Sequence, residues 1–156
     1  MAGYTALLGL HIVAGTAGLL LGPLVAWAAA RGRRSSRELG GWYLGIVVAV
    51  AITATALVIW KRTDLRWLVP VSALTVALAV LGRHATGRPG RWTHGYVHGL
   101  GGSYIALVTA TVVVAFALHG PLHGPAELIA WLTPTALLAP LLEIWRQRYN
   151  LTVIVR

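Results

Sequence analysis

The chain has 156 residues, 57% of them hydrophobic and 11% charged, with a net charge of +9 and no cysteine. A globular domain this small is mostly surface and would be insoluble at that composition, whereas a bilayer accommodates it, so the reading is one membrane domain over 1–156 with no separate soluble domain. Disulfides, thiolate metal sites and cysteine nucleophiles are excluded, and the basic residues, set in short segments beside apolar runs, describe membrane topology and argue against nucleic-acid binding.

Five continuous apolar runs follow one another, at about 4–30, 42–60, 67–82, 94–119 and 126–145. An α-helix crosses the hydrocarbon layer with roughly 20 residues, and continuous rather than alternating apolarity favours helices over a barrel. The expected fold is all-α, an integral membrane bundle of five transmembrane helices, or four if the third is re-entrant. The first run resembles a signal peptide in its apolar core and in Ala28, Ala29 and Ala30, but it lacks a basic leader and reads as an uncleaved span. Within it His11 shares a helical face with Gly15, Gly18 and Gly22. The polar, basic segment 31–40 reads as a loop. The second run carries Gly45, Ala49, Thr53 and Ala56 on one face.

The third run is short and has Pro70 near its start, which leaves a tilted span, a kinked span and a re-entrant piece open. After a turn at 84–93 with Gly87, Pro89 and Gly90, the fourth run opens with His94 and His98 and carries the row Gly95, Gly99, Gly102, Ala106, Ala110. Small residues let helices approach closely in lipid, so the first, second and fourth spans are expected to form the tight centre. Pro121 and Pro125 stop any helix in the HGPLHGPAE connection, and Pro134 and Pro140 are expected to bend the fifth span. The tail 151–155 is apolar and β-branched, and reads as a strand or as a segment on the membrane surface. Trp42, Trp60, Trp67, Trp92 and Trp145 stand near span ends, as an interfacial belt requires.

With five spans, ten of the thirteen Lys and Arg residues share one side, leaving Lys61, Arg62 and Arg66 opposite. The positive-inside rule then places the N-terminus outside and the C-terminus in the cytoplasm of a multi-pass protein of the inner (plasma) membrane. Its first partner is the lipid bilayer.

Ionisable side chains inside a span are costly and default to a functional reading. His11 faces the bundle and needs a partner, whether a carbonyl, a hydroxyl, a metal or a haem iron. His94 and His98 stand four apart on one helix face, as a metal-binding pair or as interfacial residues near phosphate head groups. Tyr96, Ser103 and Tyr104 add hydroxyls to that end of the helix. His119, His123 and Glu127 cluster at the outer end of the fourth and fifth spans. At about 1.5 Å per residue, His11 lies within a turn or two of His119 in depth, with His98 roughly 20 Å lower. A metal or haem site would therefore combine His11 with His119 or His123 and not with His98. Glu143 beside Arg146, and Asp64 between Arg62 and Arg66, read as interfacial ion pairs. No P-loop, dinucleotide fingerprint or nucleophile elbow is present.

RELGGWYLGIVVAVAITATAL over 37–57 and RWTHGYVHGLGGSYIALVTATVVV over 91–114 resemble a broad group of small multi-pass bacterial membrane proteins of unknown function, with GLGGSYIALVTA the nearest part. The layout is also similar, distantly, to b-type cytochrome membrane subunits, which implies histidines on different helices around haem. Where members of the group carry histidine before the second span and before the later Arg-Trp, this chain has Ser36 and Arg37, then Pro89 to Arg91.

Three functions stay open at the level of sequence. In the first, a haem, a metal ion or a lipophilic, quinone-like ligand sits in the bundle, held by His11, His119, Tyr104 and Ser103, with His11, His119 and His123 as the metal set. In the second, a membrane-embedded enzyme acts on a lipophilic substrate with His11, His98, Glu127 or Glu143 as acid or base. In the third, the histidines only hydrogen-bond, and the chain is a scaffold, an oligomer or an accessory subunit of a membrane complex.

Overall fold

The computed structural model describes residues 2–33, 35–88, 91–118 and 120–154, with backbone alone at 64, 91, 117, 118 and 149–154. Five long helices account for nearly all of it: α1 (Ala2–Ala30), α2 (Ser35–Lys61), α3 (Leu68–Ala85), α4 (Arg91–Val113, extended by a π-helical turn at Val114–Leu118) and α5 (Glu127–Ile154). All five are long and apolar enough to cross a membrane. Short 3₁₀ turns at Thr63–Leu65 and Gly124–Ala126 lead into α3 and α5.

Connections this short force an up-and-down bundle. Each helix packs on the next in sequence, and α1 returns to touch α4 and, sparsely, α5. The start of α1, the α2–α3 connection and the α4–α5 connection form one end, called here the upper end. The lower end holds the α1–α2 and α3–α4 connections and the end of α5.

Several boundaries have identifiable causes. α1 ends in a Schellman turn, in which the N–H of Arg33 donates to the Ala28 carbonyl and that of Gly32 to Ala29, with Gly32 at φ 61°. α2 begins at Ser35, so most of the polar stretch expected as a loop forms its first two turns, with Glu38 favourably near the N-terminus. Pro70 sits in the first turn of α3, where no intrahelical N–H is needed, and α3 runs as one continuous helix of 18 residues. α5 passes through Pro134 and Pro140 and continues to Ile154, so the tail extends a helix instead of forming a strand.

The main core lies toward the lower end, where Val25, Tyr43, Val47, Ala79, Tyr96 and Leu100 are buried together. A smaller cluster around Val113, Ala130 and Trp131 closes the upper end. The outer surface is apolar all round: Val13, Leu20, Ile52, Ile59 and Leu137 are each more than half exposed.

The approach of one helix backbone directly onto another is not among the three spans richest in small residues. It joins α3 to α4, where a Cβ on Gly82 would lie 2.5 Å from the Leu100 nitrogen and one on Gly99 2.7 Å from the Gly82 Cα. Gly22 of α1 gives way to the Tyr104 ring and Gly101 to the side chain of Leu142. Gly15 and Gly45, by contrast, face open space.

Candidate functional site

Between the two core clusters α1, α2, α3 and α4 line a cavity of about 420 Å³ that opens on the outer surface beside Ile12, Thr16 and Val114, a volume in the range of small-molecule sites. Its wall is chiefly Val, Leu, Ile and Ala, with hydroxyls from Thr16, Thr55, Ser72, Thr75 and Thr111 and one imidazole, His11. Three of those hydroxyls are engaged with their own helices: Thr16 donates to the Ile12 carbonyl, Thr75 to Val71 and Thr111 to Leu107. Gly15 lines the cavity and, lacking a side chain, leaves it room beside His11.

His11 is half-buried, with Nδ1 2.9 Å from the hydroxyl of Thr53 on α2. The tautomer follows from counting hydrogens. The single hydroxyl hydrogen of Thr53 has carbonyl acceptors at Ala49 and Val50, 2.8 and 3.0 Å away. If Thr53 donates there, its oxygen is left to accept, and the hydrogen in the His11–Thr53 bond is the imidazole's own. The neutral ring then carries its proton on Nδ1, and Nε2 is left with a lone pair. Among the described residues the ring meets the Thr53 hydroxyl and the Val50 backbone, both on α2.

Ser103 and Tyr104, expected as ligand-binding hydroxyls, have protein partners. Ser103 is fully buried and donates to the Leu100 carbonyl at 2.8 Å, so the 3.1 Å bond between it and Tyr43 is donated by the phenol. Tyr43 is absent from the sequence-derived set; its signal was a phenol inside an apolar span, which must find a partner when buried. Tyr104 donates to the Leu19 carbonyl at 3.3 Å and borders a second, smaller opening of about 290 Å³ between α1, α4 and α5.

The remaining candidates are dispersed. His94 and His98 stack face to face, centroids 3.8 Å apart at 23°, and Nδ1 of His98 donates to the His94 carbonyl. Lone pairs lie in the ring planes, so two stacked imidazoles do not converge on one metal ion. Glu143 is held by Arg146 through two hydrogen bonds of 2.8 and 2.5 Å and by Gln147 at 3.1 Å. His123 is exposed at the start of the 3₁₀ turn before α5, and Glu127 is half-buried at the first residue of α5. His119 lies outside the described residues.

Thus His11, in the cavity, is separated from His98 and Glu143 at the lower end, and these residues do not form one acid–base site. Among the described residues no three His, Asp or Glu side chains gather to hold a metal ion. The described lining of the cavity has one imidazole, His11, and no Arg or Lys. No protein-family model, curated protein or solved structure matches the chain.

Proposed function

We propose that the chain is an integral membrane protein that binds an uncharged lipophilic molecule bearing a hydroxyl donor, such as a quinol-like ring, in the central cavity, with Nε2 of His11 as acceptor. Its five helices cross the inner (plasma) membrane of a bacterium with the N-terminus outside and the C-terminus in the cytoplasm. The observation that carries the ligand assignment is the Nδ1 hydrogen bond from His11 to Thr53. It holds the imidazole at the cavity wall and leaves its acceptor atom for a guest. The apolar wall suits a ring or short chain, and the hydroxyls of Thr55 and Ser72 offer further polar contacts. Orientation rests on the concentration of arginine at the lower end.

The test is anaerobic titration of the detergent-purified protein with a short-chain benzoquinol and, separately, its quinone. A net hydrogen bond of about 1 kcal/mol corresponds to a factor of five to ten in affinity, so the quinol binds that much more tightly and His11→Phe removes the difference. Thr53→Val removes the group that fixes the tautomer and narrows the preference. Equal binding of quinol and quinone by the unmodified protein refutes the assignment. Orientation is read by single cysteines introduced at Arg33 and Thr63, in a chain with no native cysteine: an impermeant maleimide applied to intact cells labels only the second.

A further inference from the structure

The lower end of α1 reads Trp27, Ala28, Ala29, Ala30, Arg31, Gly32, Arg33. The Schellman turn folds the chain back at this point, and both guanidinium groups rest on one indole, 4.2 Å (Arg31) and 4.4 Å (Arg33) from the centroid of the Trp27 ring. Stacked this way, a guanidinium keeps its N–H edge for a planar or tetrahedral anion. Two like charges on one ring call for a counter-ion. The carboxylate–arginine pair found among the described residues is Glu143 with Arg146, and it leaves Arg31 and Arg33 without a carboxylate.

One turn above Trp27, Pro23 borders the 290 Å³ opening, which α1, α4 and α5 leave because α1 and α5 meet only sparsely. Its walls are Ala26, Ile105, Leu138 and Leu141, together with the rings of Tyr104 and Trp145. The two phenols at its back already have partners, Tyr104 on the Leu19 carbonyl and Tyr43 on Ser103. The slot therefore suits a hydrocarbon chain, and Arg31 and Arg33 follow along α1 and its closing turn, below Ala26 of its wall.

We propose that one anionic phospholipid of the leaflet at the lower end binds here, an acyl chain in the slot and its phosphate on Arg31 and Arg33. This rests on the membrane reading given above and is independent of the His11 ligand. Charge complementarity selects the occupant: a zwitterionic lipid fills the slot equally well but brings no net charge to the arginines.

The experiment is native mass spectrometry of the full chain in dodecyl maltoside, with equal amounts of palmitoyl-oleoyl phosphatidylglycerol and phosphatidylcholine. The unmodified protein retains one phosphatidylglycerol in preference to phosphatidylcholine. The double variant Arg31→Gln/Arg33→Gln loses that preference by about thirtyfold, and Arg33→Gln alone by about fivefold. Ile105→Trp, which fills the slot, lowers retention of both lipids. Equal retention of the two lipids by the unmodified protein overturns the proposal, as does a double variant that elutes normally and keeps its phosphatidylglycerol. Membrane insertion is scored separately by sedimentation of membranes after an alkaline carbonate wash. A chain that is washed off defeats the membrane reading; one that stays but shows no lipid preference defeats the lipid site alone.

Discussion

Replacing Gly99 by Ala tests the interlock of α3 and α4. In an unencumbered helix the change is favourable by about 1 kcal/mol, since alanine loses less backbone freedom than glycine. Here the new methyl would meet backbone, 2.7 Å from the Gly82 Cα and 2.8 Å from the Leu78 carbonyl oxygen. Backbone in a helix does not rotate aside as a side chain does, so α3 and α4 must separate and loosen contacts along their length. Overpacking of this kind costs about 1–3 kcal/mol, leaving Gly99→Ala between neutral and roughly 2 kcal/mol destabilised after the propensity gain. Gly45→Ala adds the same methyl where nothing lies within 4 Å and keeps the gain. The two variants should differ by the overpacking cost, about 1–3 kcal/mol, or roughly 2–12 °C in Tm for a chain of this size. Thermal unfolding in dodecyl maltoside, followed by tryptophan fluorescence, reads this directly. If Gly99→Ala melts at or above Gly45→Ala, the close approach of α3 and α4 is refuted. Gly82→Ala acts at the same interface, so Gly82→Ala with Gly99→Ala costs less than the two separately, because the first already moves the helices apart.

Buried hydroxyls give further predictions by the same melting assay. Ser103→Ala strands the phenol of Tyr43, which is 1% exposed, and costs about 1–3 kcal/mol, whereas Tyr43→Phe leaves Ser103 its carbonyl acceptor and costs about 1 kcal/mol or less. Equal losses would mean that the Ser103–Tyr43 bond is donated the other way. Thr109 has a buried hydroxyl with no partner among the described residues, so the near-isosteric Thr109→Val stabilises by about 1 kcal/mol; a loss would reveal a partner for that oxygen.

The helices were legible because the apolar runs carry no charge over their centres and are bounded by basic residues, proline or glycine, and all but the third are long. Pro70 obscured α3, since a proline in the first turn and one in a kink look alike until the helix start is known. The close contact of Gly82 with Gly99 was hidden for a different reason. Gly82 lies in a row of small residues on α3 with Thr75, Ala79 and Ala85, in a run whose patterning is less plain than that of its neighbours, and its importance comes from the height at which α4 passes it. Thr53 appeared in the sequence as one small residue among others on α2. That it is the hydroxyl meeting His11, 42 residues away, depends on the register of α1 against α2, which local periodicity does not carry. Ser103 and Tyr104 were visible as polar groups in a span, but whether such a hydroxyl faces a guest or a neighbouring helix is decided by packing.

The helices differ widely in length, 29 residues in α1 against 18 in α3. At about 1.5 Å per residue these are roughly 43 and 27 Å, against a hydrocarbon layer of about 30 Å. α3 is just short of that layer when upright, and its backbone contact with α4 resists the sliding that a strong tilt would demand. Placed in a bilayer, the bundle therefore settles to its shortest member: the lipid thins beside α3, while α1 tilts or projects its ends into the head groups. Mismatch of this kind costs less in a thinner bilayer than in a thick one.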